Sequence, residues 1–334
     1  MTLVKESDIP GETSTVKQSQ LPKATIKAVV RLMVTSVAFC LAFATVPIGQ
    51  VWQLLQTVAF PWLLLALLVS VATQVVSAIR WMYIVNTLGG HLSFRSALEA
   101  HFVGLWFNQI LPSGFGGDVV KAFSVKGQLG LSLSVRTVIL DRISGFVLLL
   151  ASIAVFIPAY ESLLQDRQFT AVLAVLAFGG LGIIIVLAYS GQKIAQYPKW
   201  PRYLTHVLSL LADLPKFRKG AALSRQLLTS LIVHINGIVI YLLLGEAIGI
   251  SADFMTYVLV VPLVFLISLM PISLGGWGVR EVSAVWLFGI AGVTPEGGLA
   301  MSLLFGFLII VASLPGLFYI VLLKREKQAD PFAA

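Results

Sequence analysis

The sequence predicts an all-α polytopic membrane protein, with six full transmembrane helices and two re-entrant hairpins of broken helix that enter from opposite sides as an inverted repeat. Three observations predict it. Of 334 residues, 58% are hydrophobic and 11% charged. Six apolar windows are long enough to cross a bilayer, and two shorter apolar runs each stop at a proline followed by a Gly-Gly pair.

Composition excludes the soluble classes first. Soluble domains carry about 25% charged residues, and a chain with 11% cannot cover a water-facing surface with polar groups. Its solvent is hydrocarbon. The formal net charge is +8, but the basic residues sit between apolar windows. That placement argues for orientation in a membrane and contact with anionic lipid, not for nucleic acid. The single cysteine, Cys40, lies inside an apolar window, so no intrachain disulfide can form and a cysteine-based metal site has no support. No metal and no cofactor is expected.

The elements follow in order. Residues 1–27 are polar and carry Lys5, Lys17, Lys23 and Lys27. A signal peptide would reach its apolar core sooner, so this stretch reads as a disordered cytoplasmic tail. A full span needs roughly 20 apolar residues, and windows at 32–50, 61–82, 138–158, 169–190, 226–248 and 298–322 qualify. They place one membrane-embedded domain over 28–323, followed by a cytoplasmic tail over 324–334. The runs 97–111 and 254–270 are shorter, and each resumes after its break as a second short apolar piece. A run of this kind reads as re-entrant or buried.

Lysine and arginine set the sidedness. The basic N-terminal tail lies inside, and the uncharged segment 49–60 outside. Arg80, Arg95, Lys121, Lys126 and Arg136 surround the first broken run and place both of its ends inside. Glu161, Asp166 and Arg167 mark an outside loop. The loop 191–225 holds Lys193, Lys199, Arg202, Lys216, Arg218, Lys219 and Arg225 against Asp213 alone, a strong inside signal. Asp253 and Glu296 flank the second broken run outside, and Lys324, Arg325 and Lys327 end inside. These assignments agree only if neither broken run crosses. Within the long inside loop, Leu204, Val207, Leu208, Leu211 and Leu214 recur at helical spacing. They read equally as a helix lying on the inner leaflet and as one covering the end of the bundle.

The two breaks match each other. Leu111-Pro112-Ser113-Gly114-Phe115-Gly116-Gly117-Asp118 and Met270-Pro271-Ile272-Ser273-Leu274-Gly275-Gly276-Trp277-Gly278 each run from proline through three residues to Gly-Gly. Charges follow at once: Asp118 and Lys121 in one, Arg280 and Glu281 in the other. Broken backbone inside a bilayer is tolerable where protein or a wet cavity surrounds it. A half-helix starting there presents free N–H groups and a positive dipole end, a favourable place for a phosphate. The alternative is that the glycines serve close helix packing. Two matched breaks of opposite sense favour a site, as in inverted-repeat transporters.

The last break with its following charges, Pro271 through Glu281, resembles a motif of the flippase-like family, also called the lysylphosphatidylglycerol synthase transmembrane-region family. Leu111-Pro112 through Asp118 and Asp141-Arg142-Ile143-Ser144-Gly145 resemble two more of its motifs. The resemblance covers about residues 30–323. It implies movement of an anionic or aminoacylated phospholipid, or of a lipid-linked headgroup, between the leaflets of the plasma (inner) membrane. Bifunctional members carry a soluble synthase domain after the membrane part. Here only a short stretch follows residue 323, so the synthase activity is not expected and the chain is read as a non-enzyme.

Charged groups within spans suggest function by their cost. Arg280 is the expected phosphate contact, with Glu281 orienting it or linking it to a proton. Gly116, Gly117, Gly275 and Gly276 are expected to let the headgroup approach the backbone. Asp118 is placed to cap its half-helix, and Lys121 one turn on faces a headgroup. Asp141 and the adjacent Arg142 do not face each other on a helix, so they read either as groups that each pair elsewhere or as an interfacial pair snorkelling to headgroups; Arg142 joins the expected site. His234, Asn236 and Glu246 lie in the fifth span, and Glu99, His101 and Asn108 precede the first break, too few converging ligands for a metal. No Walker, Gly-x-Ser-x-Gly or His-Glu-x-x-His pattern is present. Two alternatives stand beside the flippase: an integral-membrane enzyme acting on a lipid phosphate or polyprenyl-linked sugar, and a non-transporting subunit that supports a synthase or glycosyltransferase partner.

Overall fold

The computed structural model describes residues 23–111, 115–197, 200–201, 204–218, 220–270 and 272–329. Residues 1–22 of the expected tail lie outside the described residues, as do Pro112, Ser113 and Gly114 of the first break and Pro271 of the second. So do Lys199, Arg202 and Lys219 of the basic loop, residues 330–334, and the side chains of 322–329, with Lys324, Arg325 and Lys327 among them.

The described residues form helices and no strand. In order they are α1 (Lys23–Thr45), α2 (Ile48–Gln56), α3 (Phe60–Thr87), α4 (Phe94–Ile110), α5 (Gly116–Ser124), α6 (Lys126–Leu129), α7 (Leu131–Val155), α8 (Ile157–Leu164), α9 (Arg167–Ala195), α10 (Thr205–Asp213), α11 (Gly220–Ala247), α12 (Phe254–Ser268), α13 (Val279–Ile290) and α14 (Pro295–Ala329). Six helices are long and apolar enough to cross a bilayer, within α1, α3, α7, α9, α11 and α14. Each contains one of the six predicted windows or most of it.

Proline explains where windows and helices differ. The window 32–50 is cut at Pro47, which starts α2 with an extended backbone; the segment 49–60 is therefore largely helical. The window 138–158 is cut before α8, whose first turn holds Pro158. At its other end α7 begins seven residues early and takes in Arg136, whose charge is met by Asp213. Polar starts are specified locally. The Asp166 carboxylate accepts from the amides of Gln168 and Phe169 at 2.9 and 3.0 Å and starts α9. Asp253 does the same for α12 through Met255, and Ser93 for α4 through Ser96.

The outward faces are apolar. Val175, Phe178, Ile183 and Val186 of α9 are exposed, and 11% of its window is buried. Apolar surface on this scale belongs against lipid. Inside, Tyr241 of α11 stacks on Phe305 of α14 at 4.9 Å and on Phe288 of α13 at 5.9 Å, with Phe265 of α12 edge-on at 5.9 Å. α3 runs along α11, α4 packs on α5 and α14, and α13 packs on α12, α14 and α1. At the α4–α14 crossing a side chain at Gly316 would run into the Phe102 carbonyl. The small residue lets the two backbones touch.

Candidate functional site

One cavity of about 400 Å³ lies where α3, α4, α7, α11, α12, α13 and α14 meet. Both breaks line it: Asn108, Gln109 and Phe115 from the first, and Ser268, Leu269, Met270, Ser273, Gly275 and Gly276 from the second. Arg80, Asp141, Arg142, His234 and Arg280 complete its polar wall.

The first break closes on itself. The Gly117 amide donates to Asn108 Oδ1 at 2.9 Å. A side chain at Gly117 would run into the Gly104 carbonyl of α4, so this glycine serves the α4–α5 contact. Gly116 beside it is buried. Asp118 does not cap α5: the N-cap is Phe115, without a side-chain cap. Its carboxylate takes the guanidinium of Arg142 through Nε at 2.8 Å and Nη2 at 2.9 Å. A two-pronged ion pair outcompetes a single amide bond, and Asn108 reaches across from α4 to serve the Gly117 amide instead.

The second break needs glycine for its path. Gly275, Gly276 and Gly278 have φ of 57°, 86° and 79°, where a Cβ is strained. The Leu274 amide donates to Thr35 Oγ1 at 2.9 Å, and a Cβ on Gly278 would lie 2.8 Å from the Thr35 carbonyl oxygen. α1 therefore seats this break, a role that its featureless apolar sequence did not signal. Glu281, at the third position of α13, reaches back to accept from the Gly278 amide. That brings its carboxylate against Arg280, which donates to Glu281 Oε1 through Nε at 3.0 Å and through Nη2. Arg280 Nε also donates to Ser302 Oγ at 3.2 Å. The guanidinium lies over Trp277 at 4.6 Å and Phe305 at 5.4 Å. Glu281 is fully buried.

The third group joins α3, α5 and α7. Arg80 Nε donates to Asp141 Oδ1 at 2.8 Å, and Lys121 Nζ to Asp141 Oδ2 at 3.1 Å. Lys121 also sits 4.1 Å over the Trp81 ring and 3.4 Å from His101 Nδ1. All three charged groups are buried. Buried charges are retained at this depth only with such pairing.

Of the residues expected to bind the substrate, Arg142, Gly275, Gly276 and Arg280 line the cavity, and Asn108, Asp141 and His234, singled out for other reasons, line it too. Glu281 stands behind Arg280, Lys121 behind Asp141, and Asp118 holds Arg142. Gly117 belongs to the α4–α5 contact, and Gly116 beside it is buried. The half-helix amides expected to meet an anion are in part taken, Gly117 by Asn108 and Gly278 by Glu281. Asn236 donates to Thr73 Oγ1 at 3.0 Å, tying α11 to α3. Sequence reasoning missed Arg80, Asn108 and Ser273 as wall residues. Arg80 sits near the end of an apolar window and read as a sidedness mark. Ser273 Oγ is buried and has no hydrogen-bond partner among the described residues.

The cluster can receive an anion. Arg80, Lys121, Arg142 and Arg280 oppose Asp118, Asp141 and Glu281, four cations against three carboxylates. The rim is apolar: Phe115, Phe146, Leu269 and Met270 line the cavity and are exposed.

The profile of a family described as the lysylphosphatidylglycerol synthase TM region matches residues 28–316. Two curated relatives are similar to the chain over most of its length. A UPF0104 membrane protein of Methanothermobacter thermautotrophicus is 24% identical over 306 residues, 81% of this chain and 85% of the relative. Another of Methanocaldococcus jannaschii is 21% identical over 319 residues, 88% of this chain and 95% of the relative.

Proposed function

The chain belongs to the lysylphosphatidylglycerol synthase transmembrane-region family, and on that premise we propose that this multi-pass membrane protein carries an anionic lipid headgroup between leaflets. One observation carries the reading: a single cavity joins both breaks to three arginines and opens at an apolar rim. Guanidinium groups suit phosphate by geometry and permanent charge. An apolar rim suits the acyl chains that must stay in lipid while the headgroup moves. Ser273 adds a hydroxyl without a hydrogen-bond partner among the described residues, whose donor an anion oxygen satisfies.

The same reading treats α4–α5 and α12–α13 as re-entrant hairpins of opposite sense. At 1.5 Å per residue, α4 is about 25 Å long and α12 about 22 Å, both short of the ~30 Å hydrocarbon core. Their partners are shorter still. Lysine and arginine in the intervening segments then set both termini on the cytoplasmic side of the plasma membrane.

Reconstitution into liposomes tests the function. Phosphatidylglycerol and phosphatidylcholine carrying the same fluorescent label are compared, and an impermeant quencher reads the label left outside. Faster exchange of the anionic lipid is the expected result. No exchange, or equal rates for both lipids, removes the proposal.

A further inference from the structure

Behind the cavity wall, buried side chains form a continuous polar line that a binding pocket alone does not require. Asp141 faces the cavity with both carboxylate oxygens engaged, by Arg80 on one side and Lys121 on the other. Lys121 Nζ reaches His101 Nδ1 at 3.4 Å, and His101 Nε2 lies 3.2 Å from Gln74 Oε1. The line thus runs from Gln74 on α3 through His101 on α4 and Lys121 on α5 to Asp141 on α7. His101 and Gln74 are half-buried, whereas Lys121 and Asp141 are buried.

The donors and acceptors define one state of this line. A protonated Lys121 has only donors, so His101 Nδ1 accepts and its Nε2–H donates to Gln74. Arg80 is then committed to Asp141 through Nε, and its Nη1 donates to Ser230 Oγ at 3.3 Å. A phosphate entering the cavity competes with Asp141 for Arg80. It wins most readily when Asp141 is neutral, because a protonated carboxyl no longer holds a guanidinium.

Resting on the carrier reading above, we propose that the protein takes up a proton with each anionic headgroup, passed from His101 through Lys121 to Asp141. Lys121 gives a proton from Nζ to Asp141 Oδ2 and is left as a neutral amine. It takes a proton from His101 Nδ1, which a proton from water had charged. The sum is one proton gained at Asp141, with Lys121 and His101 restored. Bound headgroup and bound proton cancel in charge, so the loaded cavity carries no new net charge through the bilayer, where an unpaired charge is costly.

The charges around the line are Arg80 of α3, His101 of α4, Lys121 and Asp118 of α5, and Arg142 of α7 beside Asp141. From α11, His234 lines the cavity with its Nδ1 3.1 Å from the Ser230 carbonyl oxygen. Of these groups, His101 joins the line to its half-buried end, and Asp141 joins it to the cavity.

Two readouts separate the proton from the lipid. In detergent and weak buffer with a pH-sensitive dye, addition of short-chain phosphatidylglycerol takes up about one proton per lipid bound, and phosphatidylcholine none. Asp141→Asn, which has no carboxylate to take the proton, shows no uptake. In liposomes the exchange of labelled phosphatidylglycerol rises as pH falls, by up to about tenfold per pH unit for one linked proton. His101→Gln keeps an acceptor beside Lys121, so exchange persists and its pH dependence flattens. Exchange without proton uptake overturns the relay and leaves the carrier standing. Uptake on binding without exchange does the reverse. A His101→Gln protein with the wild-type pH profile also overturns the relay, and an intact melting temperature in that variant excludes a folding effect.

Discussion

The side-chain oxygen of Asn108 accepts a hydrogen bond from the Gly117 amide at 2.9 Å, so the last turn of α4 caps the first turn of α5. The Asn108 carbonyl oxygen also faces the other break, 3.3 Å from where a Cβ on Gly275 would stand. One residue therefore sets the spacing of both breaks around the cavity. Asn108→Leu leaves a buried amide unpaired, at a cost of about 1–3 kcal/mol, and lowers the melting temperature in detergent. Asn108→Asp keeps an acceptor and melts near wild type. It also adds a negative charge to the wall, so exchange of anionic lipid slows while stability holds. Thermal unfolding and lipid exchange on the same preparation check both halves.

The glycines of the two breaks answer to different constraints, and alanine separates them. Gly117→Ala drives a methyl group into the backbone of α4, so the variant loses stability and accumulates poorly. At Gly276 there is more room, with the Ser268 carbonyl oxygen 3.3 Å from a built Cβ, but φ is 86°. Gly276→Ala costs about 1–2 kcal/mol for the left-handed backbone. Gly275 has φ of 57°, a value that asparagine accepts. Gly275→Asn is therefore expected to fold, whereas Gly275→Val, with its branched Cβ, is not. Melting temperatures ordered as wild type, Gly275→Asn, Gly276→Ala and Gly117→Ala fit these constraints; a stable Gly117→Ala protein contradicts the α4–α5 contact.

Arg280 and Glu281 must be tested together. Arg280→Ala strands a fully buried carboxylate, and breaking a buried pair from one side costs about 3–5 kcal/mol. Loss of exchange in that variant would report folding as much as transport. Arg280→Met with Glu281→Gln removes both charges and keeps volume and the acceptor for the Gly278 amide. The double variant is expected to melt within a few degrees of wild type and to lose selection of anionic lipid. Retained selection in a stable double variant would take Arg280 out of the binding role.

The sequence exposed what the bilayer demands and hid what distant side chains do for one another. Spans were legible because hydrocarbon imposes composition over whole windows, and the breaks because proline and paired glycine act locally. That Asp141 and Arg142 do not face each other was legible from helical spacing alone. Each does pair elsewhere, with Arg80 and Lys121 in one case and Asp118 in the other. Arg80 was hidden because its partner lies 61 residues away, so position within α3 gave no sign of burial. The misplaced cap at Asp118 has the same cause: local spacing offered an amide, and the fold offered Arg142.

Sidedness of the two broken segments is the remaining prediction, and it can be read without any transport assay. Replacing Cys40, an exposed residue on α1, with serine leaves a protein without cysteine. Single cysteines then go at His91 and Gln128, which bracket α4 and α5, and at Ser251 and Thr294, which bracket α12 and α13. All four positions are exposed. If each broken pair turns back within the membrane, an impermeant maleimide reaches His91→Cys and Gln128→Cys from the cytoplasmic face, and Ser251→Cys and Thr294→Cys from the other. If α4 and α5 together crossed, their combined rise of about 39 Å would suffice for the core, and His91 and Gln128 would label from opposite faces. The basic residues around the first break argue against that split: Arg95, Lys126 and Arg136 fall on both flanks of the run, and a crossing would leave part of them on the side that lysine and arginine avoid. Split labelling of either bracketing pair would therefore discard the inverted repeat, while the cavity and its three arginines would still need an occupant.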